Sequence, residues 1–536
     1  MDGTLSRDPR SPLSGVGGVN IKKRSRVSAG SSPVYRSCKT KKLNYMKKTL
    51  LIALFALFAI GGISAQEYRP SKANLRSRKE FAEDRFGIFI HWGIYSIYGQ
   101  GEWYLQNAGL DRDEYAKVAD AFYPHRFNAK KWVSLVKASG AKYICITTRH
   151  HDSFSMWDTK YSDFNIVDAT PFKRDILKEI AKECEKQDIA LHLYYSHADW
   201  SRDDYPRGRT AKNVTGRDST RISWDNYYRF MNRQITELLN NYGKVRAIWF
   251  DGWWDHDEDE TPFDWQLDEQ YKLVHKLQPR CLVANNHHQS PFPGEDIQIF
   301  ERDLPGENEY GLSGQQISKL PLETCQTMNG MWGYKVADQN YKSTDELIRY
   351  LVSTAGKGAN LLLNVGPQPN GEIPFAAQER LRAMGKWLKS NGETIYGTVA
   401  GDVPQQEWGC TTRKGDKLYV HIFELEDYEL RLPLQCEVVS AKVFGKSKKV
   451  EFRVEDGELV LNVGHIPDVT DYIIEVKTVV EQPKKGSKRA SKEKVEKEEK
   501  QKEEKEEKVK KEKPAKESKK KAKAEADTEV EAEIAE

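Results

Sequence analysis

Residues 247–254 read AIWFDGWW. The run from Ala247 to Phe250 is apolar and has the composition of a buried strand. It stops abruptly at Asp251, which Gly252, Trp253 and Trp254 follow. A carboxylate is seldom buried without a partner or a task. An Asp-Gly pair also suits an ordinary turn. The segment therefore carries two readings: Asp251 caps a turn, or Asp251 is presented at the C-terminal end of a buried strand between aromatic walls. The second arrangement is how a parallel barrel offers a carboxylate to a sugar.

Similar runs recur on both sides of this segment. Residues 86–92, 143–151, 189–200, 281–286, 297–301 and 360–367 all read as strands. Amphipathic stretches separate most of them. In AKKWVSLVKASG, Trp132, Val133, Leu135 and Val136 fall at helical spacing and Gly140 stops the helix. RDILKEIAKECEKQ, YYRFMNRQITELLNNYG, DEQYKLVHKLQ and STDELIRYLVSTAGKG read the same way. Strand–helix repeats over some 320 residues predict an α/β fold, a (β/α)8-type barrel over residues 66–396. No Gly-rich phosphate fingerprint follows the first strand, which argues against dinucleotide binding. Beyond residue 396, period-two alternation broken by Gly and Asp-Gly turns predicts an antiparallel β-sandwich over residues 397–480.

The ends have a different texture. Residues 1–45 lack an apolar period, and their status depends on whether translation starts at Met1 or Met46. Residues 46–65 combine a short basic start, a brief apolar run and small residues at Ile63-Ser64-Ala65. That is the pattern of a secretory signal peptide, with an uncleaved anchor as the alternative. Cleavage after Ala65 gives an exported protein, periplasmic or extracellular, with no stable membrane insertion. Residues 481–536 are dominated by Lys and Glu and cannot bury a core, so they are expected to be a solvated tail. The 84 basic and 80 acidic residues nearly balance, which argues against nucleic acid as the main partner. The seven cysteines are dispersed without a CxxC pair, and Cys145 and Cys281 lie in apolar runs as buried thiols.

The expected strands end in residues that a purely structural strand does not need. His91-Trp92 closes the first, Arg149-His150-His151-Asp152 the second and Tyr194-Tyr195-Ser196-His197 the third. Asp251, the Asn285–His288 run, Glu301 and Asn364 follow. In a barrel such ends converge on one mouth. Any one of these histidines could be a satisfied core residue; their joint occurrence is what points to a site. His150 and His151 are adjacent, so on a strand they face opposite sides and do not readily chelate one ion. Neither HExxH nor a Cys/His ligand spacing is present, and no metal or other cofactor is expected.

HWGIYS (91–96), GEWY (101–104), KYICITTRHHDSFSMWDT (142–159), YYSHADW (194–200), IWFDGWW (248–254), LETCQTMNGMWGY (322–334) and NLLLNVGP (360–367) resemble the exo-acting α-L-fucosidases of glycoside hydrolase family 29. The resemblance runs in order over residues 68–396. It implies hydrolysis of terminal α-L-fucosyl residues from fucosylated oligosaccharides or glycoconjugates, with retention and a covalent intermediate. It implies Asp251 as nucleophile. It implies a sugar pocket from His91, Trp92, Glu102, Trp103, His150, His151, a tyrosine of the YYS segment (Tyr194 or Tyr195) and Trp332, with Cys325 near the site. Some members carry an arginine where this chain has Asn286-His287-His288.

The acid/base is to be sought in GEDIQIFERDLPGENE, which offers Glu295, Asp296, Glu301, Glu307 and Glu309. Glu301 combines a strand end with the expected order of carboxylates, Glu295 matches a second branch of the family, and Glu307 sits in a Pro-Gly turn. An acid that is protonated near neutral pH is expected to have its pKa raised by burial or by the Asp251 charge. Two rivals stay open. One is a retaining barrel enzyme for a related L-sugar such as L-galactose, since an apolar contact rejects an added hydroxyl only weakly. The other is a barrel that binds sugar without cleaving it.

Overall fold

The computed structural model describes residues 68–479, Gln435 excepted. Eight parallel strands form one sheet in the order β5-β4-β3-β2-β1-β8-β7-β6. They are β1 (Phe86–Ile90), β2 (Tyr143–Arg149), β3 (Ala190–Ser196), β4 (Val245–Asp251), β5 (Leu282–Asn286), β6 (Gln298–Glu301), β7 (Leu322–Thr327) and β8 (Ala359–Val365). The ends of the sheet meet at a single parallel bridge, Ala284 to Ile297, which all but closes the barrel. Asp296 stitches this weak seam. Its carboxylate accepts from Val283 N at 2.8 Å and from Arg78 Nη2 at 2.6 Å, and His275 Nε2 lies 2.9 Å away.

Helices follow β1, β2, β3, β4, β7 and β8, whereas β5 and β6 lead into loops among the described residues. Each helix buries the stripe its sequence provides. In Ala129–Ala138 the buried residues are Ala129, Trp132, Val133, Leu135 and Val136, and Asn128 caps the start by accepting from Lys131 N. Thr344–Gly356 opens with a full capping box between Ser343 and Glu346. Helix Lys72–Asp84 lies at the N-terminal end of the barrel, sends Phe81 into its interior and bonds Phe81 O to Asn360 Nδ2 at 2.7 Å.

β7 is not among the strands expected from the sequence. LETCQT carries Glu323, Thr324 and Gln326, all buried. Such a strand is tolerated because its polar groups find partners inside: Tyr143 Oη donates to Glu323 Oε2 at 2.6 Å and Trp249 Nε1 to Oε1 at 2.9 Å.

The last barrel helix ends at Asn391, and antiparallel sheets begin at Val399. Val438–Val443, Tyr472–Thr478, Lys417–Ile422, Gly409–Lys414 and Val399–Ala400 form a five-stranded sheet in that order, Glu429–Leu432, Glu458–Asn462 and Glu451–Glu455 a three-stranded one, and the two enclose a second core. Leu418, Val420 and Ile474 from the first sheet meet Leu432, Leu459 and Leu461 from the second, as in a sandwich. The sandwich docks on helix Thr344–Gly356: Arg349 donates to the carbonyls of Thr470 and Phe423, each at 3.0 Å. Cys145 and Cys281 are buried free thiols. Residues 1–67 and 480–536, with the expected signal peptide and tail, lie outside the described residues.

Candidate active site

The C-terminal ends of the strands surround a cavity of about 510 Å3. Asp251 is the last residue of β4 and alternates inward with Ala247 and Trp249. Gly252, at φ 91°, then turns the chain, and a Cβ there would meet Ala198 N at 2.7 Å. Gly252 N donates to Asp251 Oδ1 at 2.8 Å. Both readings of the Asp-Gly pair thus hold: Asp251 caps its own turn and faces the cavity.

Three further hydrogen bonds orient that carboxylate. Trp254 Nε1 donates to Oδ1 at 3.0 Å and Tyr194 Oη to Oδ2 at 2.8 Å. Asn286 Nδ2 lies 3.3 Å from Oδ1, and His151 Nε2 lies 3.6 Å from Oδ2. Burial, followed by the charge of Glu301, pushes the Asp251 carboxyl up to about 6.

Glu301 ends β6 and lines the same cavity. Its Oε2 accepts from Asn286 Nδ2 at 2.7 Å and from His288 Nε2 at 3.0 Å. Asn286 therefore bridges the two carboxylates, as its pairing with Asp251 across β4 and β5 allows. With 2.7 Å to one oxygen and 3.3 Å to the other, those oxygens are at most about 6 Å apart. Burial pushes the Glu301 carboxyl up, but the His288 hydrogen bond and charge, with Asn286 and Arg302, more than offset it. The net direction is downward. This runs against the expectation of a raised acid: Glu301 is held below the ordinary carboxylate range while Asp251 is pushed above it.

Burial keeps His91, His150 and His151 neutral. Burial holds His91 and His151 down to about 3 and lowers His150 well below the ordinary value. His91 Nδ1 bonds Asn364 Oδ1 at 2.7 Å, and Asn364 Nδ2 donates to Trp332 O at 2.7 Å, so one β8 residue sets both. Ser196 Oγ gives its hydrogen to Ala198 O and accepts from His151 Nδ1 at 2.6 Å. His151 Nε2 then faces the cavity as an acceptor. Trp103, stacked on Trp254 at 5.7 Å, and Trp332 supply apolar walls.

Of the residues expected from the sequence, His91, Trp103, His150, His151, Tyr194, Asp251, Glu301 and Trp332 meet at this cavity. Others do not. Tyr195 alternates outward and donates to Gln234 Oε1 at 2.8 Å, so Tyr194 is the inward tyrosine. Trp92 also faces outward, packed on Phe122, Phe127 and Trp132. Glu295 is buried behind the site, where it accepts from Tyr271 Oη at 3.0 Å and Phe292 N at 3.1 Å and contacts His287 Nε2 at 3.0 Å. It does not line the cavity, and neither does Glu307, which pairs with Lys357 at 3.4 Å. Glu102 lies below the wall and accepts from Gly333 N at 2.7 Å, which steadies the Trp332 loop. Cys325 sits beside Glu301 in the strand register but inside the barrel core.

Phe89, Trp249, Asn286 and His288 also line the cavity. Phe89, Trp249 and Asn286 were within reach of strand parity, two residues before His91 and Asp251 or opposite Asp251 in register. Arg209, Thr210 and Lys212 come from the long loop after β3, whose course no local pattern announces.

The family model for alpha-L-fucosidase matches residues 57–393. The chain is 30% identical over 415 residues to the alpha-L-fucosidase of Dictyostelium discoideum, covering 70% of this chain and 85% of that protein. It is 29% identical over 399 residues to the human plasma alpha-L-fucosidase, covering 67% and 79%. Among solved structures it resembles alpha-L-fucosidase isoenzyme 1 from Paenibacillus thiaminolyticus, with a TM-score of 0.67 and 32% identity over 76% of this chain and 100% of that one. It also resembles the GH29 alpha-L-fucosidase from Bacteroides thetaiotaomicron trapped as a covalent intermediate with 2-fluoro-fucosyl fluoride, with a TM-score of 0.66 and 27% identity over 78% and 99%. The fold, the carboxylates at the barrel mouth and these likenesses lead to one conclusion: the chain belongs to the alpha-L-fucosidase family of glycoside hydrolases, GH29.

Proposed function

We propose that this protein is an exo-acting, retaining α-L-fucosidase that removes terminal α-L-fucosyl residues from glycans by double displacement. The observation that carries the reading is the Asn286 bridge. It holds one oxygen of Asp251 and one of Glu301 within about 6 Å. Retaining enzymes place their carboxyl groups about 5–5.5 Å apart, whereas inverting enzymes need about 6.5–9.5 Å to seat a water.

In this reading Asp251 Oδ2 or Oδ1 attacks the anomeric carbon while Glu301 delivers a proton to the departing oxygen. The aglycone leaves as an alcohol and the sugar stays esterified to Asp251. Water then enters, Glu301 takes its proton, and the hydroxide oxygen displaces Asp251. The neutral His91, His150 and His151 offer hydrogen bonds to ring hydroxyls, and Trp103 and Trp332 give apolar faces. The likeness to a fucosidase trapped as a covalent intermediate supports the same course.

The first step needs a proton on Glu301 and an ionised Asp251, and the two carboxyls titrate as a pair.

The reading extends to the chain as a whole. Its limits are a catalytic region over 66–396, a sandwich over 397–480, and export through residues 46–65. No helix among the described residues is long and apolar enough to cross a membrane.

Proton NMR of the first-formed sugar from an aryl α-L-fucoside tests the proposal. α-L-fucose appearing first supports it, and β-L-fucose appearing first contradicts it. Comparing kcat/KM on the matched aryl α-L-galactoside separates the rival sugar, and turnover of neither leaves a binding barrel.

A further inference from the structure

Glu301 is held asymmetrically. Both of its hydrogen bonds, from Asn286 and from His288, fall on Oε2. Oε1 has no protein partner among the described residues. A carboxylate only accepts, so His288 Nε2 must carry the hydrogen of its 3.0 Å contact. His288 lies past the end of β5 in the left-handed region, at φ 60°. That conformation is unfavourable for a residue with a side chain, and it is kept where the surroundings over-determine it. Here it turns the ring back over the cavity rim, toward β6.

We propose that His288 is a positioning residue for this reaction: with Asn286 it holds Glu301 by Oε2 alone, leaves Oε1 to face the departing oxygen and then the incoming water, and favours the carboxylate form that water activation requires. The inference rests on the assignment of Glu301 as acid/base. In the first half-reaction Oε1 gives its proton to the departing oxygen. In the second, the carboxylate, steadied through Oε2, takes one from water at Oε1. The proton balance closes on Glu301, and His288 keeps its ring hydrogen throughout.

The charge field around the pair is mixed. Asp251 and Asp257 both feel His288, and Arg302, Glu102 and His91 feel or act on Glu301. Glu301 is lowered despite burial because the His288 hydrogen bond and charge oppose it more strongly than any other neighbour. His288 also lowers Asp251. Its removal should therefore raise the proton affinity of both members of the dyad.

The test is the pH profile of kcat/KM on an activated aryl fucoside for wild type, His288→Ala and His288→Gln. The alkaline limb should move upward in the alanine variant, by roughly half a pH unit or more, as expected when a carboxylate loses a hydrogen-bond donor. Glutamine can still reach Glu301 with an N–H, so it should move in the same direction by less. A loss of activity with both limbs unmoved in the two variants would overturn the proposal, because general damage to the fold does not move a limb. Glu301→Ala with added azide is run in parallel. If azide does not rescue it, the assignment of Glu301 fails. If azide rescues it while the His288 limbs stay in place, only the role of His288 fails.

Discussion

Two carboxylates are buried inside the same barrel, one at its mouth and one near its floor. Asp251, at the end of β4, is pushed up to about 6, and Glu323, at the start of β7, to about 7. Desolvation leads in both cases. By perturbation alone they look alike. The difference is access and company. Glu323 is closed in by Tyr143 and Trp249, which satisfy both its oxygens. Asp251 opens on a 510 Å3 cavity beside a second carboxylate and a set of neutral histidines. A shifted pKa marks a buried acid; a cavity and a partner acid make it chemistry.

The sharpest way to break this contrast is to remove each acid in turn. Asp251→Ala should cut kcat/KM for an aryl fucoside by roughly three or more orders of magnitude while leaving the thermal transition close to wild type. Glu323→Ala should do the reverse. It strands Tyr143 Oη and Trp249 Nε1 and opens a hole, at a cost of about 3–5 kcal/mol in stability. Calorimetry and assay of the folded fraction read both. A stable but inactive Glu323→Ala would dissolve the contrast.

Glu301→Ala comes next in size. Substrates with poor leaving groups should lose far more activity than activated aryl fucosides, and azide should restore the latter by forming a fucosyl azide. Azide rescue in Glu295→Ala instead would move the acid/base role to a residue bonded to Tyr271 and His287.

Two pH effects are smaller. In the proposed mechanism the dyad carries one proton, and the Asp251 carboxyl is pushed up to about 6. So kcat/KM, which reports the free enzyme, should fall as pH rises through about 6. A profile flat from pH 5 to 8 would contradict that. For Glu323 the folded pKa lies above the unfolded value of about 4.3. The stability it contributes is full below the unfolded pKa and is lost as pH rises through about 7. Glu323→Gln should lack this slope, so its Tm relative to wild type should improve from pH 5 to pH 8.

Much of this was legible in the chain. Apolar runs with helices between them gave seven of the eight strands, because strands buried on both faces are rich in β-branched and aromatic residues. β7 escaped because its side chains are polar and are satisfied only by groups far away in sequence, such as Tyr143 and Trp249. Parity explains the site residues in the same way. Tyr194 and Tyr195 cannot be told apart as letters, yet one faces Asp251 and the other Gln234. Glu295 and Glu301 share one acidic segment; the expected strand end already set Glu301 apart, and the fold adds that Glu295 is sealed behind β5 while Glu301 faces the cavity. The direction of the Glu301 shift depends on His288 and Asn286, which reach it across a loop and a strand end. No spacing rule encodes that contact.

The central claim is that Asp251 forms the bond to the sugar while Glu301 handles the proton. Incubating the protein with 2-fluoro-fucosyl fluoride, followed by intact-mass analysis and peptide mapping, tests it most directly. One 2-fluoro-fucosyl adduct per chain, carried by the Asp251 side chain with loss of fluoride and absent from Asp251→Ala, is the predicted result. An adduct on any other residue, or turnover of the reagent by Asp251→Ala at the wild-type rate, would contradict it.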